Sequence, residues 1–392
     1  MFLSAVQSRI SLDSRSKHAG MTVFGKEISL TQQVAANWTR RHLTGQRKIM
    51  TDIRIGLHLH PPPRQSLEAF IDTVQRADRY GFARLGTGDT QWHNMECFIA
   101  LTLMAVNSEK AEIGPRVTNP VTREPSVMAS SIVSLDLISR GRAVLTIGRG
   151  DSAVHNIGLK PASVEETRDY IIAVRDLLEN GDTTYHGRHN HFDWPGQKTR
   201  RGIPICVTAE GPRMLRLAGQ IGDQVLIGTG VTSEVVEASL EALHAGAREA
   251  GRDSTKLEIW WAPRLSVAET TEKAVKNIMA SIASSGNHAL RSGFAGKQVP
   301  DQLKEKIRRF HHEYDYAQHG VKTGKNAQLV EQLGLTAYFL ERFAVAGSPA
   351  DIVTRIRALS RLGLKNLWLS SPGDDPSALD LVGQEVLPRL ND

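Results

Sequence analysis

The residues of this sequence that could do chemistry gather where apolar runs stop. Eight such runs end in polar or glycine-rich steps: His58–His60, Gly88-Asp89, Thr118-Asn119, Gly148–Asp151, Ala209–Gly211, Gly228–Gly230, Arg264 and Ser370-Ser371. His58, His60 and the nearby His93 titrate near neutral pH and suit general acid–base work. A histidine at a strand end is equally a hydrogen-bonded part of the scaffold. The glycines permit positive φ and let a ligand approach the backbone, or else make ordinary turns. Gly211-Pro212 opens a helix, where free amides favour an anion, although proline also marks a plain helix start. Thr118, Asn119, Thr122 and Arg123 either hydrogen-bond the edge of a planar ring or build a turn around Pro120.

What is missing narrows the chemistry. There is no Gly-x-Ser-x-Gly elbow, no Walker loop and no His-x-x-x-His pair on a helix. His186, His189 and His191 have Arg188 among them and no evident carboxylate shell, so they read as a solvated hairpin and not a metal site. His311 and His312 read as the surface of a charged helix. "GRGDS" ends a buried strand, which excludes an adhesion signal. Asp151 within it would orient Arg149 or cap the next helix. Cys97 and Cys206 lie in apolar segments as small core residues. A mouth with neither nucleophile nor metal borrows its reactive group from a cofactor.

The elements that must position these residues alternate regularly. Strands end at the eight positions above, and most lead into amphipathic helices. Ser66 caps the first helix and Gly81 closes it. Eight strand–helix units predict an α/β fold, a (β/α)8 TIM barrel, with insertions after strands four and seven. The first insertion is the turn-rich "DTTYHGRHNHFDW". The second is a charged, helical stretch near 285–345 with Arg291, Phe294, Arg308, Phe310, Tyr314 and Tyr316. In a barrel all eight strand ends share one mouth, which both insertions could overhang.

The net charge of +6 resides in residues 1–49, and residues 50–392 are balanced. The body therefore has no bias toward nucleic acid, and no apolar run is long enough to span a membrane. Residues 1–49 read as a disordered or non-native extension, with the barrel over 50–392 in a cytoplasmic, reducing compartment.

Three segments resemble the luciferase-like family of flavin and deazaflavin oxidoreductases. They are "VTNPVTREPSVMASSIVSLDLISRGRAVLTIGRGDS", "VTAEGPRMLRLAGQIGDQVLIGTG" and "AVAGSPADIVTRIRALSRLGLKNLWLSSP". The resemblance implies a barrel that binds reduced FMN or the deazaflavin coenzyme. It places Thr118 and Asn119 at the ring system and Gly148, Arg149 and Gly150 beside it. Ala209, Glu210, Gly211, Gly228, Thr229 and Gly230 would hold the phosphate end. Pro115-Arg116 departs from the small glycine pair that often precedes this segment in relatives, where the strand bulges. Glu210 replaces a frequent serine and would repel a phosphate unless Arg213 or Arg216 compensates. The leading expectation is a monooxygenase acting on a small organic substrate with reduced FMN and O2, supplied by a separate flavin reductase. The alternative is a deazaflavin-dependent reductase or dehydrogenase transferring hydride. A third is a non-catalytic flavin-binding barrel. A homodimer is a family expectation.

Overall fold

The computed structural model describes residues 53–194, 202–318, 321–370 and 376–390. The expected 1–49 extension and Ser371 lie outside them. The described residues form twelve strands: β1 (Arg54–His58), β2 (Arg84–Thr87), β3 (Glu112–Pro115), β4 (Leu145–Ile147), β5 (Asp182–Tyr185), β6 (Arg188–His191), β7 (Ile205–Ala209), β8 (Gln224–Ile227), β9 (Glu258–Trp261), β10 (Arg264–Val267), β11 (Ala344–Gly347) and β12 (Asn366–Ser370).

The main sheet runs β3-β2-β1-β12-β9-β8-β7-β4. Its pairings are parallel, as intervening helices require. Parallel bridges Ile113–Ala143 and Thr118–Ile147 join the two outer strands and close the ring. The helix starts follow local chemistry. Ser66 Oγ accepts from the Ala69 amide at 3.1 Å, and Gly81 ends that helix at φ 86°. Ser163 and Glu166 form a capping box ahead of the helix Val164–Asn180.

The seventh strand differs from expectation. The apolar run Leu257–Ala268 predicts one strand, but it divides at Ala262-Pro263 into β9 and β10. Proline has no N–H to donate, and beyond it the pairing changes: β9 lies against β8, and β10 against β11. β11 has four residues and abuts the helix Thr336–Phe343, too short a run to show a period.

The insertions also resolve. β5 and β6 form the expected antiparallel hairpin. It packs along the barrel's flank, with Tyr185 edge-on to Tyr170 and Arg188 paired to Glu124 at 2.6 Å. The second insertion begins later than expected, because the helix Thr271–Leu290 runs unbroken past residue 285. Helices Asp301–Glu313, Lys325–Gln332 and Thr336–Phe343 follow. They share a separate apolar cluster with Ile278, Phe310 and Phe339.

The amino ends of the strands are sealed by charge. Arg54, Arg84, Glu112, Gln224 and Glu258 each begin a strand. Arg84, with no exposed surface, donates to Glu112 at 2.7 Å and to Gln224 at 2.8 Å. Its guanidinium lies 4.1 Å from the Trp260 ring centroid. Gly86 leaves room for Trp368, since an added Cβ would stand 2.6 Å from that indole. One end of the barrel is thus plugged, and the other carries the site.

Gly86→Ala should lose about 1–3 kcal/mol of stability through overpacking. Glu112→Gln, which removes the charge partner of a buried guanidinium, should lose about 2 kcal/mol. Urea unfolding of each variant measures both. A change under about 0.5 kcal/mol in both would contradict this packing.

Candidate active site at the barrel mouth

At the end of β3 the peptide Arg116–Val117 is cis. The departure at Pro115-Arg116 thus coincides with an unusual backbone at that point. Thr118 and Asn119, both buried, follow it. Thr118 Oγ1 donates to Asp89 Oδ2 at 2.6 Å. Arg123 pairs with the same carboxylate and with Glu96. Asn119 Oδ1 accepts from the Val121 amide at 2.9 Å and the Thr122 amide at 3.0 Å. These groups build the turn and clamp the ends of β2 and β3 together.

The glycine-rich ends divide into two kinds. At Gly148 an added Cβ would meet nothing closer than 3.4 Å, at Gly88 nothing closer than 3.7 Å, and at Gly211 nothing closer than 3.9 Å. These three would accept a Cβ at ordinary van der Waals contact. Gly150, at φ 94°, packs against Asn119 and Val154. Arg149 folds back, its Nε donating to the Ala162 carbonyl at 2.5 Å. Ala209 is buried and accepts from the Gly228 amide at 3.1 Å. Gly228 is covered by the Glu210 carboxylate. Thr229 bonds Ser239 at 2.9 Å, and its carbonyl accepts from Arg342 at 3.0 Å. Gly230 packs against the same arginine. The second glycine-rich end is therefore filled by protein, and Gly211 with Gly148 and Gly88 lines the open part.

His58 and His60 meet edge-on with ring centroids 4.7 Å apart. His58 Nδ1 is buried and has no hydrogen-bond partner. Burial, with His60, Arg116, Arg264 and Arg64 adding, pushes its pKa well below 6.5, so the ring is neutral. His93 sits in the loop after β2, stacked on Trp92 at 3.5 Å. Burial and Arg64 lower its pKa as well.

The second insertion is fastened to the mouth by ion pairs. His288 bonds Glu210 through Nδ1 and lies 3.2 Å from Asp151 through Nε2. Arg291 reaches the other Asp151 oxygen at 2.5 Å. Glu210, then Asp151, raise the His288 pKa to about 10 against the effect of burial. Burial opposes the charge of Glu210, but His288 outweighs it and the carboxyl stays lowered. Asp151 is likewise held well below its usual range by His288 and Arg291 despite burial.

Two expectations are corrected here. Asp151 serves neither Arg149 nor the helix cap: it makes no side-chain cap bond and ties down the insertion. Glu210 is compensated by His288, because Arg213 is paired with Glu165 and Arg216 with Glu249.

His311 differs from its sequence reading. Its Nδ1 lies 3.0 Å from Asn287 Oδ1, and burial lowers its pKa to about 4. His312 is exposed as expected. Phe310 is core, Arg308 is exposed and paired with Glu305, and Arg291, Tyr314 and Tyr316 of the flagged insertion residues lie near the site's charges. On the hairpin, His189 and His191 do face a carboxylate. Asp182 lies 2.8 Å from His191 and 3.3 Å from His189, because pairing of β5 with β6 brings it across.

His288 escaped the sequence reading, yet a signal is present. Ser284, Asn287, His288 and Arg291 recur at helical spacing at the end of its helix, beside the apolar Ile278, Ile282, Ala283 and Leu290. A polar stripe of that kind faces something polar.

The description "Luciferase-like monooxygenase" fits residues 46–366. The 5,10-methylenetetrahydromethanopterin reductase of Methanopyrus kandleri is 28% identical over 88% of this chain and 100% of its own. An F420-dependent glucose-6-phosphate dehydrogenase from Amycolatopsis mediterranei is 22% identical over 82% of this chain and 91% of its own. The structure of the coenzyme F420 dependent tetrahydromethanopterin reductase from Methanopyrus kandleri superposes with a TM-score of 0.68 at 25% identity, covering 86% of this chain and 99% of that one.

The His288 ion pairs carry a pH signature. A histidine raised from 6.5 to about 10 contributes stability in full below pH 6.5 and loses it as pH rises toward 10. The depressed carboxyls of Glu210 and Asp151 contribute above their ordinary values, 4.5 and 3.8, and lose that as pH falls. The Tm difference between the parent and His288→Gln should therefore peak between about pH 5 and 6.5 and vanish near pH 10. A pH-independent difference would contradict the assignment.

Proposed function

We propose that this chain, which belongs to the luciferase-like monooxygenase family, is an F420-dependent oxidoreductase that transfers hydride to or from a small organic substrate. That it is an oxidoreductase follows from its family. The choice of coenzyme rests on one observation: relatives aligned over most of this chain are methylenetetrahydromethanopterin reductases and F420-dependent dehydrogenases. The reading with reduced FMN and O2 stands second, supported by the family's description. A separate flavin reductase belongs to that second reading.

The mouth suits such a coenzyme. Gly88, Gly148 and Gly211 leave space without side chains, where a planar ring and a phosphate can approach main-chain amides. Lys297 is nearly buried and donates to the Ala289 carbonyl at 2.7 Å, within the field of Glu210. Lys297, Arg291 and His288 face two carboxylates, Glu210 and Asp151, so one positive charge is left over to favour an anion. When bound, F420 supplies the hydride donor or acceptor. This chain supplies the rest. The Asp89–Thr118–Arg123 clamp holds two strand ends in place. His58, neutral at pH 7, is suited to give or take a proton at a ring nitrogen. The second insertion, held by Asp151 and Glu210, limits the access of water.

The full chain, kept anaerobic, should bind F420 with a Kd in the range of about 1–100 µM and bind FMN at least about tenfold more weakly, read by fluorescence. Gly148→Leu should weaken F420 by at least about tenfold, since a Cβ is accommodated there at ordinary contact and the longer side chain must extend toward the mouth; circular dichroism checks that the variant is folded. Preferential FMN binding with O2-dependent turnover would overturn the proposal in favour of the oxygenase.

A further inference from the structure

Two partly buried arginines at the mouth lack an ion-pair partner among the described residues. Arg116 follows β3, Arg264 begins β10, and both reach over the end of β12. Arg116 Nη2 donates to the Trp368 carbonyl at 2.8 Å, and Arg264 Nη1 to Ser370 Oγ at 3.2 Å. These anchors are two residues apart on one strand, which places them about 7 Å from each other. Arg264 Nε also donates to Ser285 Oγ at 2.8 Å. Arg116 Nε and His58 Nδ1 are buried polar atoms without hydrogen-bond partners. Among the described residues, neither guanidinium makes an ion pair, whereas Arg54, Arg84, Arg123 and Arg291 all do.

From this geometry we infer a subsite for an oxyanion, a carboxylate or phosphate group of the substrate, held between Arg116 and Arg264 with His58 beside it. Guanidinium forks match such groups in shape and charge. Two like charges held close together, partly buried and without an ion-pair partner, are costly, and an oxyanion between them offsets the repulsion and can bond the unpartnered Arg116 Nε. The field is consistent with this. Burial and Arg264 bring the Arg116 pKa down to about 9, and burial lowers that of Arg264. Glu210 is the carboxylate whose field reaches both, but it is committed to His288. The subsite rests on the F420 reading only in assigning the anion to the substrate and not to the coenzyme.

The test is calorimetric titration of the full chain with inorganic phosphate and with acetate, each with and without saturating F420. At least one anion should bind in the low millimolar range or better, about equally with F420 present. Arg116→Gln and Arg264→Gln should each weaken that anion at least tenfold and leave F420 affinity within about threefold. Two variants are needed because either alone could misfold, which circular dichroism would reveal. Phosphate binding without acetate binding assigns a phosphorylated substrate, and the reverse a carboxylate. Displacement of the anion by F420 would overturn the substrate assignment, and unchanged anion binding in both folded variants would overturn the subsite. Failure of F420 itself to bind would overturn the coenzyme reading, while the titration without F420 would still decide the subsite.

Discussion

Glu210 and His288 meet at the barrel rim, one from β7 and the other from the helix that opens the second insertion. A carboxylate at the start of a ligand-binding turn would exclude anions. A cation beside it removes that objection and binds the insertion to the barrel at the same time. Asp151 extends the pair to β4, and Arg291 fixes it from a second turn of the same helix. Each of these groups is held in its charged form by the others against burial, so they form and dissolve together.

The contrast between the two ends of the barrel explains where chemistry can occur. At the amino end, Arg84 is bonded to Glu112 and Gln224 and lies against Trp260. That charge is ion-paired with carboxylates, although its Nη1 keeps no hydrogen-bond partner, and it serves the fold. At the carboxyl end, Arg116 Nε and His58 Nδ1 are buried without hydrogen-bond partners, and Arg116 and Arg264 make no ion pair among the described residues. Buried polar groups without partners are rare in a relaxed fold and gather at functional sites. The fold seals one opening of the ring and leaves the other electrostatically incomplete.

The two glycine-rich ends carry a lesson about motifs. "GRGDS" and "GTG" look alike as letters, and both suggest main chain offered to a ligand. Gly148 would accept a Cβ at ordinary contact with Val117 and Thr208, but Gly228 lies under Glu210 and Gly230 against Arg342. A missing side chain records a close approach without saying whether a ligand or the protein itself makes it.

The barrel was legible because it is written locally. Apolar runs, Ser66 and Ser163 at helix starts, Gly81 at a helix end and the alternation of strand with helix depend on neighbours a few residues away. The positions of the strand ends, including His58, Thr118, Gly148 and Glu210, follow from that alternation. What the sequence could not state was which charges meet. His288 finds Glu210 across 77 intervening positions, Arg291 finds Asp151, Asp182 finds two histidines across a hairpin, and Pro263 sends one apolar run to two partners. Periodicity records which face of an element is buried, but it holds no information about what that face is buried against. Coulomb energies depend on distance in space, and only closure of the ring sets those distances.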